Sequence, residues 1–271
     1  MDGTKPGVPL SLAGKVALIT GGSRGIGADT VRLFSAAGAT VAFNYRVAVE
    51  QAEQLVAECG GEQHCCAFAQ ELDSAENGRA LVRKTVDAFG RIDCLVVNHG
   101  IWPPQDAPIA TMPEAQWRRT VEVNLDSVFG LVQGTVAQMQ SQTQPLRPQP
   151  NQARGHIVLV SSTAGQRGEA LHADYAVTKG ALISLTKSLS SELAGDGIYV
   201  NCVAPGWVET EMSAPALSTA EGREKIFSTI PVGRVGHVRE IAGPILFLCT
   251  PYAGFISGEV LNVNGGAVLV G

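Results

Sequence analysis

At 271 residues with 45% hydrophobic content, the chain can bury one large α/β core. Its 20 Lys and Arg against 25 Asp and Glu give a net charge of −5. That balance supplies no basic field for nucleic acid, so an anionic ligand must be held locally, by backbone amides and a few arginines.

No apolar run approaches the roughly 20 residues that a membrane span needs, and the opening MDGTKPGVPLSLAGK has no basic-then-apolar signal pattern. A soluble cytoplasmic protein is expected. The six cysteines (Cys59, Cys65, Cys66, Cys94, Cys202, Cys249) show no C-x-x-C pair and no histidine at zinc spacing. They are expected to be core-filling thiols, with no metal site.

Short apolar runs alternate with longer amphipathic ones. Strands are predicted at Val16–Thr20, Thr40–Tyr45, Cys65–Ala69, Cys94–Asn98, His156–Ser161, Tyr199–Ala204 and Val260–Val263. Helices are predicted at Gly25–Ala37, Val49–Glu58, Ala75–Phe89, Pro113–Gln140, Tyr175–Ala194 and Val238–Cys249. Strands apolar on both sides and separated by helices imply a parallel sheet covered on both faces. Right-handed crossovers then make an α/β, doubly wound (Rossmann) sheet of about seven strands. One domain is expected over residues 1–271, with residues 1–11 as an extension. Gln140–Gly155 is polar and rich in Gln and Pro, an exposed connection at the sheet end opposite the strands' carboxyl ends, and is given no catalytic role. Gly206–Gly236 lies at the carboxyl ends and is a candidate lid.

The first strand runs into Thr20-Gly21-Gly22-Ser23-Arg24-Gly25-Ile26-Gly27 and then a helix. Glycines let the backbone turn tightly against a pyrophosphate, and the helix N-terminus supplies amides and positive dipole. A dinucleotide site is therefore expected over Gly21, Ser23, Arg24, Gly25, Ile26 and Gly27. The second strand ends Phe43-Asn44-Tyr45-Arg46, with no acid before Glu50 to bind a ribose 2′-hydroxyl. Arg46 and Arg24 can instead face a 2′-phosphate, which favours NADP(H) over NAD(H).

Tyr175 and Lys179 stand four apart where loop gives way to helix, so they share a face. A neighbouring ammonium favours the phenolate, and the expectation is that Lys179 lowers the Tyr175 pKa. The strand before them ends in Ser161-Ser162, and alternation allows only one serine to face Tyr175.

With these pieces placed, the chain from about Leu12 onward resembles the short-chain dehydrogenases/reductases, most closely their 3-oxoacyl-carrier-protein reductase group. TGGSRGIG at Thr20–Gly27 is similar to that family's T-G-x-x-x-G-x-G, and Asn124, Ser162, Tyr175 and Lys179 match its catalytic set, the serine lying thirteen residues before the tyrosine. Val203-Ala204-Pro205-Gly206 with Val208 and Thr210 resembles the segment that lies against the nicotinamide. Asn98 and Gly100 fall in the family's N-N-A-G, here Val97-Asn98-His99-Gly100, with Val97 in place of Asn and His99 in place of a small residue beside the cofactor ribose. The adenine-edge acid falls at Glu71, followed by Leu72, with Asp73 as a second candidate.

The resemblance implies carbonyl reduction by NADPH with Tyr175 as proton donor, Ser162 binding the carbonyl, Lys179 contacting the nicotinamide ribose and Asn124 holding Lys179 through water. Substrate contacts are expected from Trp102, Gln166, His172, Trp207 and Met212, with Ile101 and Ile226 nearby; two tryptophans suit an apolar or flat substrate. The same machinery fits an alcohol, steroid or sugar dehydrogenase, and a non-catalytic dinucleotide-sensing regulator is a third reading. Surplus apolar surface on the two long helices points to a homo-oligomer, a dimer or the tetramer that the resemblance implies.

Overall fold

A computed structural model describes residues 8–142 and 153–270. Among these, seven strands form one parallel sheet: β1 (Val16–Ile19), β2 (Thr40–Tyr45), β3 (Cys65–Ala69), β4 (Cys94–Val97), β5 (Gly155–Val160), β6 (Ile198–Pro205) and β7 (Val260–Val263), in the order β3-β2-β1-β4-β5-β6-β7. The strands are predominantly aliphatic because both faces are covered. Ala17 and Ile19 face a core shared with α1 (Gly25–Ala36), α2 (Val49–Glu58) and α9 (Val238–Leu248). Leu18 between them faces the core of α3 (Ala75–Phe89), α5 (Ser127–Ser141) and α7 (Ala173–Leu193). The same alternation runs through Cys94, Leu95, Val96 and Val97 of β4.

The strand order reverses between β1 and β4, which pair at Ala17–Cys94, Leu18–Leu95 and Ile19–Val96. Diverging connections leave a crevice at the carboxyl ends there, where ligands bind in sheets of this kind. The glycine turn and the Asn98–Gly100 segment both open into that crevice.

The predicted helix Pro113–Gln140 is three pieces: α4 (Glu114–Val121), a π-turn over Glu122–Asp126, and α5. The Ser127 N–H bonds the carbonyl of Glu122, five residues back, instead of Val123; periodicity cannot register that one-residue slip. Two further helices escaped the sequence reading. α6 (Thr163–Arg167) is a short turn capped by Ser162, and α8 (Ala220–Phe227), capped by Thr219, lies inside the Gly206–Gly236 segment. Most of the polar connection, residues 143–152, and residues 1–7 of the N-terminal extension lie outside the described residues.

Candidate active site

Asn44 and Asn98 hold the glycine turn from two sides. Gly21 N donates to Asn44 Oδ1 (2.8 Å) and Gly22 N to the Asn44 carbonyl (3.0 Å). Asn98 Nδ2 donates to the carbonyls of Thr20 (3.1 Å) and Gly21 (3.3 Å). A β-carbon on Gly27 would fall 2.1 Å from the Gly21 carbonyl oxygen, so only glycine lets α1 start this close to the turn. Arg24 provides no side-chain cap to α1 and its first turn has no acid, so its leading N–H groups and dipole are open to an anion. Ser23 and Ile26 flank this opening, with Ile26 packed on the core. Backbone cradle and open helix end together fit a pyrophosphate.

The second-strand residues divide into two inward and one outward. Asn44 is buried, with both side-chain groups spent on Gly21 and on the Gln70 carbonyl, and the half-buried Tyr45 packs against the core. Arg46 is exposed and pairs with Glu71 at 3.6 Å, while Arg24 pairs with Glu211, which follows β6. Such exposed pairs are worth only about 0–1 kcal/mol, so a dianionic 2′-phosphate can displace both carboxylates. Glu71 and Asp73 also bind Arg119, and Leu72 is buried in the core.

The fork at β5 separates the two serines. Ser161 is buried, and its hydroxyl donates to the Lys179 carbonyl (2.7 Å), locking α7 to the sheet. Ser162 caps α6 through Ala164 N (3.1 Å), which leaves its proton free on the Tyr175 side. Asn124 is buried in the π-turn: its Oδ1 accepts from Ile101 N (2.8 Å), and its Nδ2 donates to the Ile101 carbonyl (3.0 Å) and Thr178 Oγ1 (3.2 Å). A side chain at Gly100 would reach within 3.3 Å of both Asn124 Oδ1 and Lys179 Nζ, so Gly100 keeps that gap open.

Lys179 Nζ sits 5.7 Å from the Tyr175 ring centroid and donates to the Val160 carbonyl (2.9 Å). Here the expected electrostatics are corrected. Burial pushes the Tyr175 phenol up to about 12, against a smaller opposing pull from Ser162, and burial brings Lys179 down to about 8. At this separation, with one N–H donated to Val160, the ammonium does not offset the desolvation of the phenol.

Of the expected substrate residues, Trp102 lies edge-on to Tyr175 (centroids 4.7 Å apart, planes at 74°) and stacks on His172 (3.9 Å). His172 Nε2 lies 3.3 Å from Asp106 Oδ1. Gln166 Nε2 donates to Asn262 Oδ1 (2.6 Å), and its buried Oε1 has no partner. Met212 is exposed, Ile226 is buried on α8, and the Trp207 carbonyl accepts from Gly236 N. The segment 206–236 touches the glycine turn, with Thr210 Cγ2 3.3 Å from where a Gly25 β-carbon would lie. Val208, bridged to Gly236, is buried beside Pro205 and the half-buried Gly206 at the end of β6.

Sequence reasoning passed over Thr20, whose hydroxyl accepts from Asn98 N and His99 N, and Asp174, which binds Gln116 and Thr120 to tie α4 to α7. Thr20 stood in the motif, but only the glycines around it carried the argument. Asp174 had no local signal. His99 also differs from expectation: its ring turns inward to Thr20 and the π-turn rather than toward a ribose.

The family model described as Enoyl-(Acyl carrier protein) reductase matches residues 21–268. The 3-oxoacyl-acyl-carrier-protein reductase of Thermotoga maritima is 37% identical over 261 residues, 96% of this chain and 100% of that protein. The chain belongs to the short-chain dehydrogenase/reductase family. Its likeness to the Escherichia coli 3-oxoacyl-acyl-carrier-protein reductase is 35% over 96% of this chain and 100% of that one. Among solved structures, a short-chain dehydrogenase/reductase from Brucella melitensis, described as a glucose/ribitol dehydrogenase, superposes with TM-score 0.85 at 32% identity, over 97% of this chain and all of that one. A blue fluorescent protein from a metagenomic library, in complex with NADPH, gives TM-score 0.83 at 31% identity, over 96% and 100%. Among the described residues of this short-chain dehydrogenase/reductase, no three His, Cys, Asp or Glu side chains cluster as metal ligands, and no helix is long and apolar enough to cross a membrane.

Proposed function

We propose that the chain reduces a small ketone or 3-oxoacyl-type carbonyl to an alcohol with NADPH, with Tyr175 Oη as the proton donor. The observation that carries this reading is the buried Tyr175 phenol, set between Ser162, the edge of Trp102 and, farther off, Lys179. Gly21, Ser23, Gly25, Ile26 and Gly27 would hold the pyrophosphate, Arg24 and Arg46 the 2′-phosphate, and Glu71 or Asp73 the adenine edge. Asn98, Gly100, Pro205, Gly206, Val208 and Thr210 would line the nicotinamide end. When bound, NADPH supplies the hydride that the carbonyl carbon accepts.

The residues of the chain provide the rest. The Ser162 hydroxyl donates to the substrate oxygen, Tyr175 Oη transfers its proton there as negative charge develops, and Trp102 and His172 wall off water on one side. A phenol pushed up to about 12 stays protonated at neutrality but is a weak acid, so its proton transfer needs the developing phenolate to be stabilised by the Lys179 ammonium, which a pKa of about 8 keeps mostly protonated. Asn124 fixes Ile101 and Thr178 around that lysine. A cytoplasmic homo-oligomer completes the reading.

The aromatic wall favours apolar ketones and β-ketoesters over polyhydroxylated sugars. NADPH oxidation against a panel of all three, with NADH as comparison, tests this; turnover confined to sugars would overturn the substrate class and favour a sugar dehydrogenase. Tyr175→Phe is expected to lose turnover by about 10²-fold or more while keeping NADPH affinity. A variant retaining over about a tenth of the rate contradicts the assignment.

A further inference from the structure

We infer that His99 is a positioning residue that ties the π-turn carrying Asn124 to the glycine turn. This rests on the reading of Asn124 as part of the catalytic set.

The hydrogen-bond chain through the ring has one consistent arrangement of protons. Val123 C=O, 3.1 Å from Nε2, can only accept, so Nε2 carries the proton. Nδ1 is then bare and accepts from the Thr20 hydroxyl at 2.7 Å. Thr20 Oγ1 in turn accepts from the backbone N–H groups of Asn98 (3.0 Å) and His99 (3.2 Å). The Ser127 hydroxyl donates to Val123 C=O (2.7 Å), and its oxygen lies 2.8 Å from Nε2, sharing that proton. The neutral ring this requires is the form that burial favours.

The π-turn gives the link its role. A regular helix would give Val123 C=O the Ser127 N–H, but that N–H has moved to Glu122 C=O. A buried carbonyl that loses one donor and gains no other costs about 1–3 kcal/mol. His99 Nε2 and Ser127 Oγ are the side-chain donors that meet it. The next residue is Asn124, whose amide must reach both Ile101 and Thr178. Val97 has no hydrogen-bonding side chain, so the cross-tie from β4 to this turn falls to His99.

The test is a double-mutant cycle. His99→Phe keeps a ring and removes both nitrogens; His99→Gln keeps one acceptor and one donor. With the best carbonyl of the panel above, His99→Phe is expected to lower kcat about tenfold or more, and His99→Gln to restore at least about a third of it. In an Asn124→Ala background, His99→Phe should change kcat by less than about twofold. Amide exchange of residues 123–128 should quicken in His99→Phe while that of β1 stays unchanged.

Equal fold losses in both backgrounds, or no loss, would overturn the inference and leave the catalytic reading intact. An Asn124→Ala enzyme with wild-type kcat would sink the Asn124 reading and this inference with it. If the panel yields no turnover, the functional reading fails separately, and unchanged exchange at residues 123–128 overturns the tie while local quickening supports it. Should His99→Phe not fold, Ser127→Ala, which removes the other donor to Val123, is held to the same criteria.

Discussion

Burial that holds Lys179 near 8 has a measurable consequence for stability. In the unfolded chain a lysine titrates near ~10.4, so between the two values the unfolded state binds more protons and stability rises with pH. Below about 8 the penalty for the buried ammonium is fully present; above ~10.4 it is gone. The melting temperature of the wild type relative to Lys179→Met is therefore expected to climb from pH 8 to about 9.5, below the range where Tyr175 adds its own term. A flat difference would mean that the ammonium is solvated. At this scale helical spacing put Tyr175 and Lys179 on one face and strand alternation allowed only one of Ser161 and Ser162 to face them, because those are local rules; the family resemblance named Ser162. The sequence reading misjudged the phenol's electrostatics, because desolvation depends on Trp102 and the core, which arrive from elsewhere in the chain.

The contact between α3 and α5 depends on missing β-carbons. One built on Gly130 would lie 1.8 Å from the Ala75 carbonyl oxygen, and one on Gly78 2.4 Å from the Ser127 carbonyl oxygen. Since α5 continues the π-turn, this packing sets where Asn124 sits along the sheet. Alanine at position 130 would gain about 1 kcal/mol of helix propensity but force two backbones apart, an overpacking cost of about 1–3 kcal/mol or more. Gly130→Ala should lower the thermal midpoint followed by circular dichroism; a raised midpoint would show that the helices can separate cheaply. Helical periodicity predicted this stretch as one helix, since a five-residue turn leaves the spacing of apolar residues on either side nearly intact.

On the whole molecule, Phe129 of α5 (56% exposed) and Val177 of α7 (52%) leave apolar surface on the outer side of the helix that follows Asn124 and the helix that carries Tyr175 and Lys179. Large exposed apolar residues on such helices are covered in oligomers by a second copy. Light scattering on the intact protein should give two or four times the chain mass, and Phe129→Asp should shift it downward; a monomer at micromolar concentration would end that reading. Coverage there would stiffen the site from behind, without touching the crevice at the carboxyl ends.

The sequence by itself determined the parallel sheet, the glycine turn and the helix that pairs Tyr175 with Lys179. Each is written in short-range periodicity: aliphatic strands, glycines where a β-carbon cannot fit, and a four-residue step. Only the tertiary structure decided that Arg24 meets Glu211, 187 residues away, that Asn44 serves the turn, and that His99 reaches inward to Thr20, 79 residues back. Those pairings depend on which segments the crossovers bring to the same end of the sheet, and spacing along the chain carries no trace of that.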